Sequence, residues 1–261
     1  MKYFNVAGIS FCLEKFLCES YLQKFKNIGK KKALFSIYSY KNIQRYNGML
    51  FIDGLGQCTN LLLNGETILS VNSSWSESCI IRLNRKEELD LLVLNIFNTH
   101  AVQRHMIQIH SSLIEHKGRG LMFLGPSGIG KTTQAELWHK YRDALIINGD
   151  IVFVQETEES FLGWGTPWHG SSPYCENTSV PVEALVVLKQ APENSIRELT
   201  GFEKVSAVSG SVFYPQWLEN GMELCLETLD HLLSALPVYE LSCRPDEEAV
   251  KLTESIVFGR E

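Results

Sequence analysis

The stretch "FLGPSGIGKTTQAELWHK", residues 123–140, limits what this chain can fold into more than any other. Gly125, Gly130, Lys131 and Thr132 fit G-x-x-x-x-G-K-[ST]. At about 7% average glycine usage, those positions coincide by chance in roughly one per cent of chains this long. Glycines let successive backbone N–H groups turn inward around an anion, a path that side chains block. A buried-looking run, "LMFL", precedes the loop and a helix-compatible run follows it. The spacing thus predicts strand, loop and helix, with the helix aiming its unpaired first-turn amides and positive end at the same anion. In this reading Gly125 opens the loop, and the amides of Ser127, Gly128, Ile129, Gly130, Lys131, Thr132 and Thr133 cradle phosphate. Lys131 reaches the outer phosphates and Thr132 holds Mg²⁺. A bare glycine-rich turn is the competing reading, and the strand-before-helix context argues against it.

The next informative carboxylate is Asp150, 19 residues after Lys131 at the end of "DALIINGD". That gap holds one helix and one strand, which brings the carboxylate beside the metal that Thr132 would hold. As a turn residue alone, Asp150 would leave a charge at the end of a buried strand, a costly arrangement without compensation.

Around this centre the chain reads in two parts. Residues 1–83 give short strands such as "ALFSIYSY", "GMLFIDG" and "SCIIRL" between turn residues. "NRKEELDLLVLNIFNTH" then changes period: Asn84 and Glu87 mark a helix start, and Leu89, Leu92, Val93, Ile96 and Phe97 recur at helical spacing. A boundary falls near residue 100, with domains over 1–100 and 101–261. The second part opens with two strands, "MIQIHSSLIE" and "GLMFLG", joined by "HKGRG". Strands "DALIING", "IVFVQE" and "VEALVVLKQ" follow. Beyond 201 the pattern is helical up to the strand "PVYEL", and a final helix opens at Pro245 and Asp246.

The formal charge of −6 speaks against a nucleic-acid scaffold. The five lysines of "KFKNIGKKK" (24–32) read either as a solvated loop or as a dock for an acidic or phosphorylated partner. Seven cysteines without a C-x-x-C pair suit reduced cytoplasmic thiols in a core. No signal peptide and no membrane span is expected. His100, His105 and His110 recur every five residues, a spacing that suits neither a helix face nor a strand face, so no metal site is expected there.

Four segments together resemble the HPr serine kinase and phosphoenolpyruvate carboxykinase superfamily, and within it small bacterial HPr-kinase-related proteins. They are "IQIHSSLIE", "MFLGPSGIGKTTQAELW", "LIINGDIVFV" and "GTPWHGSS". The likeness spans roughly residues 105–200, with "PVYELSCRPDEEAV" looser and residues 1–100 carrying little of it. It implies an α/β fold: a phosphoenolpyruvate carboxykinase-like P-loop kinase core on a mixed sheet, with a smaller strand-rich α+β domain before it. It also implies transfer of the γ-phosphoryl group of ATP or GTP, with Mg²⁺, to a hydroxyl of a peptide, a protein serine or a small metabolite. Carried over by position, Lys131 and Thr132 bind phosphate and metal, and Asp150 ligates metal, orients the acceptor, or both. His110 faces the acceptor. Homo-oligomers are implied as well, since HPr kinases assemble as hexamers.

One departure matters. HPr kinases carry two adjacent acids where this chain has Gly149 and Asp150. Either Asp150 or His110 then serves as base, or a loose phosphoryl-transfer transition state makes a strong base dispensable. Trp168, His169 and Gly170 read as a substrate or nucleotide wall on a rigid Gly-Thr-Pro turn, with Trp164 a core anchor. Arg197 and Arg244 are the candidates for quenching transition-state charge, against a simpler fate as surface ion pairs. Carboxykinase chemistry on oxaloacetate lacks the His, Lys and Arg set it needs. A non-catalytic nucleotide sensor or partner-binding module stands as the alternative to a kinase.

Overall fold

The computed structural model describes residues 1–14, 20–27, 32–39, 44–46, 49–51, 58–63, 66–81 and 86–259. It divides into two compact units, Met1–His100 and Ala101–Glu261. Asn84, residues 28–31 of the lysine run, and the ends of "GMLFIDG" and "SCIIRL" lie outside the described residues.

In the first unit, β1 (Lys2–Val6) and β2 (Ile9–Leu13) make a hairpin, turned by positive φ at Ala7 and Gly8. β3 (Phe35–Ser39) joins β2 in parallel. A separate hairpin, β4 (Gln44–Tyr46) with β5 (Met49–Phe51), follows. β6 (Cys58–Leu63), β7 (Glu66–Asn72) and β8 (Glu77–Ile80) complete a mixed sheet in the order β1-β2-β3-β8-β7-β6. Helix α1 (Lys86–Val102) buries the apolar stripe expected of it, Leu89, Leu92, Val93, Ile96 and Phe97. Phe97 meets Phe11 edge-on at 6.2 Å. His100 lies flat on Phe35 at 4.6 Å, with Nε2 3.0 Å from the Trp75 carbonyl. It is a packed residue of the core.

The second unit starts with β9 (Met106–His116), an 11-residue strand that turns through Lys117 and Gly118, both at positive φ, into β10 (Arg119–Leu124). The glycine-rich loop leads to α2 (Lys131–Arg142), then β11 (Leu145–Asn148) and β12 (Ile151–Glu156). β13 (Phe161–Trp164), β14 (Ser179–Gln190), β15 (Ser195–Leu199), α3 (Gly201–Ser209) and β16 (Val212–Phe213) follow. The chain ends with α4 (Gly221–Ala235), β17 (Val238–Cys243) and α5 (Glu247–Val257). The Asp246 carboxylate caps α5 by accepting from the Ala249 amide at 3.1 Å. Between α3 and α4 the expected helical run is broken by β16, whose two residues hook onto β9 at Gln108 and Ile109.

The sheet is mixed. β10 runs antiparallel to β9 and parallel to β14, and β14 is parallel to β17. β12 and β13 bridge from the first half of β9 to the start of β14, so the pairings β9-β12-β13-β14-β10 close on themselves. Alternation along β10 sets the layers. Leu121 and Phe123 pack with Trp138 of α2 and Val250 of α5, while Met122 and Leu124 pack with Leu229 and Leu232 of α4. Among the described residues no helix is long and apolar enough to cross a membrane.

Candidate functional site

The glycine-rich loop follows β10, and its backbone takes the positive φ that glycine tolerates: 134° at Gly125, 79° at Gly128 and 115° at Gly130. Gly130 is the N-cap of α2 and supplies no capping side chain. The helix therefore opens toward the cleft without a side chain across its end. Lys131 is buried, at 6% exposed, and folds back so that Nζ donates to the carbonyls of Gly125 (3.0 Å) and Pro126 (3.2 Å). Burial pushes its pKa down, and the charge of Asp150 pulls it part of the way back. The Thr132 hydroxyl donates to the Gly149 carbonyl at 3.3 Å, which joins the start of α2 to the turn that carries Asp150.

That turn interrupts one long run beside β9. β11 pairs with the second half of β9, β12 with the first half, and residues 149–150 bend out of the ladder between them. Asn148 fixes the bend. Its buried Oδ1 accepts from the amides of Asp150 (2.8 Å) and Ile151 (3.0 Å), and its Nδ2 donates to the Thr166 carbonyl at 2.9 Å. Asp150 thereby comes within 2.9 Å, Oδ1 to Nε2, of His110, whose side chain is 26% exposed against 31% for the carboxylate. Both groups reach solvent. Ser112 Oγ donates to the Lys131 carbonyl at 2.9 Å, so β9 also anchors the first turn of α2.

The segment after β13 closes the cleft. His169 Nδ1 bonds the Ser172 carbonyl. Gly170 has a φ of 56° and packs so near Asp150 that a Cβ there would lie 2.5 Å from Oδ2. In the opposite direction, a Cβ on Gly149 would lie 2.0 Å from Ser172 Oγ. The space that an acid at 149 would need is filled by a serine. Trp168 is buried and tilts against Phe153 at 6.4 Å, outside the cleft wall. Trp164 is partly buried, with Nε1 donating to Gln155 at 3.0 Å.

Together these elements enclose a cleft of about 270 Å³. It is lined by Ser127, Gly128, Gly130, Lys131, Thr132 and Thr133 from the loop and α2, by His110, Gly149 and Asp150, and by His169, Ser171 and Ser172. Gly125 contributes its carbonyl to Lys131, and Ile129 faces away from this cleft toward another. Among the described residues no three His, Cys, Asp or Glu side chains gather as a metal-binding group. The oxygen donors of Thr132 and Asp150 suit Mg²⁺, which takes one or two carboxylates and completes its shell with phosphate oxygens and water. Arg197 is paired with Glu203 and Glu240, and Arg244 with Asp246 and Glu248, all near the surface. Asn148, Thr166, Ser171 and Ser172 were not singled out by spacing. A buried Asn directly before Gly-Asp is the one signal that announces such a turn.

Fold and cleft define an α/β protein with a glycine-rich strand–loop–helix beside a histidine–carboxylate pair. The chain belongs to the family described as "SynChlorMet cassette protein ScmC", whose model matches residues 78–243. No curated protein matches it. Among solved structures, the HPr(Ser) kinase/phosphatase from Coxiella burnetii is similar at a TM-score of 0.37 and 10% identity, over 58% of this chain and 97% of that one. A superposition that loose leaves the functional reading to the cleft.

Proposed function

We propose that the chain is a nucleotide-dependent phosphotransferase that moves the γ-phosphoryl group of ATP or GTP to a hydroxyl on a peptide, a protein serine or a small metabolite. The observation that carries this reading is the convergence of the loop, Lys131 and Thr132 with the His110–Asp150 pair on one small polar cleft. In this reading the catalytic domain is Ala101–Glu261, a P-loop kinase core of the HPr-kinase kind. The loop amides and Lys131 hold the outer phosphates and offset charge that builds up in transfer. Mg²⁺ held by Thr132 and Asp150 would supply further neutralisation. The acceptor hydroxyl lies against His110 and Asp150, and its proton passes to that pair as the oxygen attacks phosphorus and the nucleoside diphosphate leaves. His169 and Ser171 form the wall on the acceptor side, a role that buried Trp168 does not share.

The test is incubation with γ-labelled ATP and a lysate of the source cell, beside the Lys131→Ala variant. Label should enter an acceptor with the unaltered chain and not with the variant. Equal transfer by both would remove the loop from the reaction. A second reading, a nucleotide sensor without transfer, draws on Gly149, because Ser172 fills the place of an acid. Tight Mg·ATP binding with no labelled product across a broad acceptor screen would favour it.

A further inference from the structure

The phosphate-side cleft, at about 270 Å³, is smaller than the roughly 300–1,000 Å³ of ordinary small-molecule sites. A second cleft of about 610 Å³ adjoins it, and Gly128, Gly130 and Thr133 line both. This second cleft lies at the carboxyl ends of three neighbouring parallel strands: β10 as it enters the loop, β14 at Leu188–Gln190 and β17 at Cys243. That edge is where open α/β sheets collect ligands.

Its walls differ from those of the phosphate side. Ile129, Leu188, Pro192 and Pro245 give apolar surface, and Arg244 stands at the rim with its guanidinium steered by Asp246 and Glu248. The rim is tied down: Asn194 Oδ1 accepts from the Arg244 amide at 2.9 Å, and Gln190 Nε2 donates to the Ile129 carbonyl at 3.3 Å. Thr133, Lys189 and Gln190 also line the cleft, and its buried polar group is Gln134, only 3% exposed. Its Nε2 donates to Cys243 Sγ at 3.2 Å, while Oε1 is buried with no hydrogen-bond partner among the described residues. Buried acceptors are rarely left so, and one beside a cleft is a place for a donor on a ligand.

We infer that this second cleft takes the nucleoside of the phosphoryl donor. The base lies between the apolar wall and the Arg244 guanidinium, which stacks on aromatic faces. The Gln134 carboxamide accepts from an exocyclic amino group. The donor is then a nucleoside triphosphate and not a bare polyphosphate. This rests on the phosphate reading of the loop.

Calorimetric titration of the full chain with Mg·ATP and with Mg·tripolyphosphate separates the two. ATP should bind at least about tenfold more tightly, and Ala191→Trp, at a residue that also lines the second cleft and not the first, should remove that advantage while tripolyphosphate binds as before. Equal affinity for both ligands in the unaltered chain, or undiminished ATP affinity in the variant, overturns the nucleoside cleft alone. Absence of binding by either ligand overturns the phosphate reading and the inference with it. Photolabelling with a base-azido ATP needs no variant. Label should fall within residues 189–192 or 243–245, and label confined to 169–172 overturns the assignment.

Discussion

Strand β9 carries two histidines that each face a carboxylate, and the two ends have different physics. At one end His110 and Asp150 stand 2.9 Å apart, both about a quarter to a third exposed, on the wall of a polar cleft. At the other, His116 is 6% exposed and 3.5 Å from Glu254. Its ring is wedged edge-on to Trp138 (5.4 Å) and Phe258 (5.5 Å). The His116–Glu254 approach lacks hydrogen-bond geometry at Nε2. A histidine that is to trade protons needs water and a partner within reach; one that fills space needs neither. The same strand supplies one environment of each kind, and residue type alone does not tell them apart.

The sharpest way to break the contrast is at the wet end. Asp150→Asn keeps shape and removes charge. Transfer should fall by at least about a hundredfold, the lower range for a general base, with the melting temperature unchanged. A drop in stability with transfer per folded molecule intact would make the pair structural and erase the difference. At the dry end, Trp138→Ala should cost about 3–5 kcal/mol in denaturant unfolding, because a fully buried indole leaves a cavity. The folded fraction should keep its affinity for Mg·ATP.

An intermediate effect is expected from Gly149→Ala. The new Cβ would lie 2.0 Å from Ser172 Oγ, and overpacking of that kind costs about 1–3 kcal/mol. Adding Ser172→Gly should recover most of the loss in a thermal melt; no recovery would mean that the bend itself rejects a side chain. The smallest effect concerns pH. Burial foremost, then the charges of Lys117 and Arg142, hold the His116 pKa below its ordinary 6.5, with Glu254 pulling upward. The unfolded chain then binds the proton that the native one resists. Stability should be full above about pH 6.5 and decline as pH falls below it, until native His116 itself protonates. His116→Gln should flatten that decline in melts from pH 7 to 5.

Much of the fold around the cleft was legible because the relevant signals are local. Glycine composition dictates the path of residues 125–130, and the unbroken apolar run of "LMFL" reads as a buried strand, which β10 is, with core on both faces. The stripe of α1 is similarly plain from its period. Short strands were not legible: β15 and β16 draw their pairing from distant β17 and β9, and β13, which folds straight back on β12, has only four residues and little pattern of its own. For the site, spacing brought Lys131, Thr132 and Asp150 into consideration, and they do line one cleft. Trp168 illustrates the limit, since a Trp beside a Gly-Thr-Pro turn serves a wall and a core equally well until Phe153 is known to lie behind it. Asn148 shapes the bend through amides two and three residues on, but its tie to Thr166 and the place of Ser172 against Gly149 span 18 and 23 residues, and no local period encodes those.

The two glycine contacts around the acidic bend are reciprocal: Gly149 yields room to Ser172, and Gly170 yields room to Asp150. Such interlocking restricts the order in which heredity can alter the site. A lineage that gains a carboxylate at 149 must first surrender the serine, or pass through an ill-fitting ancestor. The two positions should therefore change hands together.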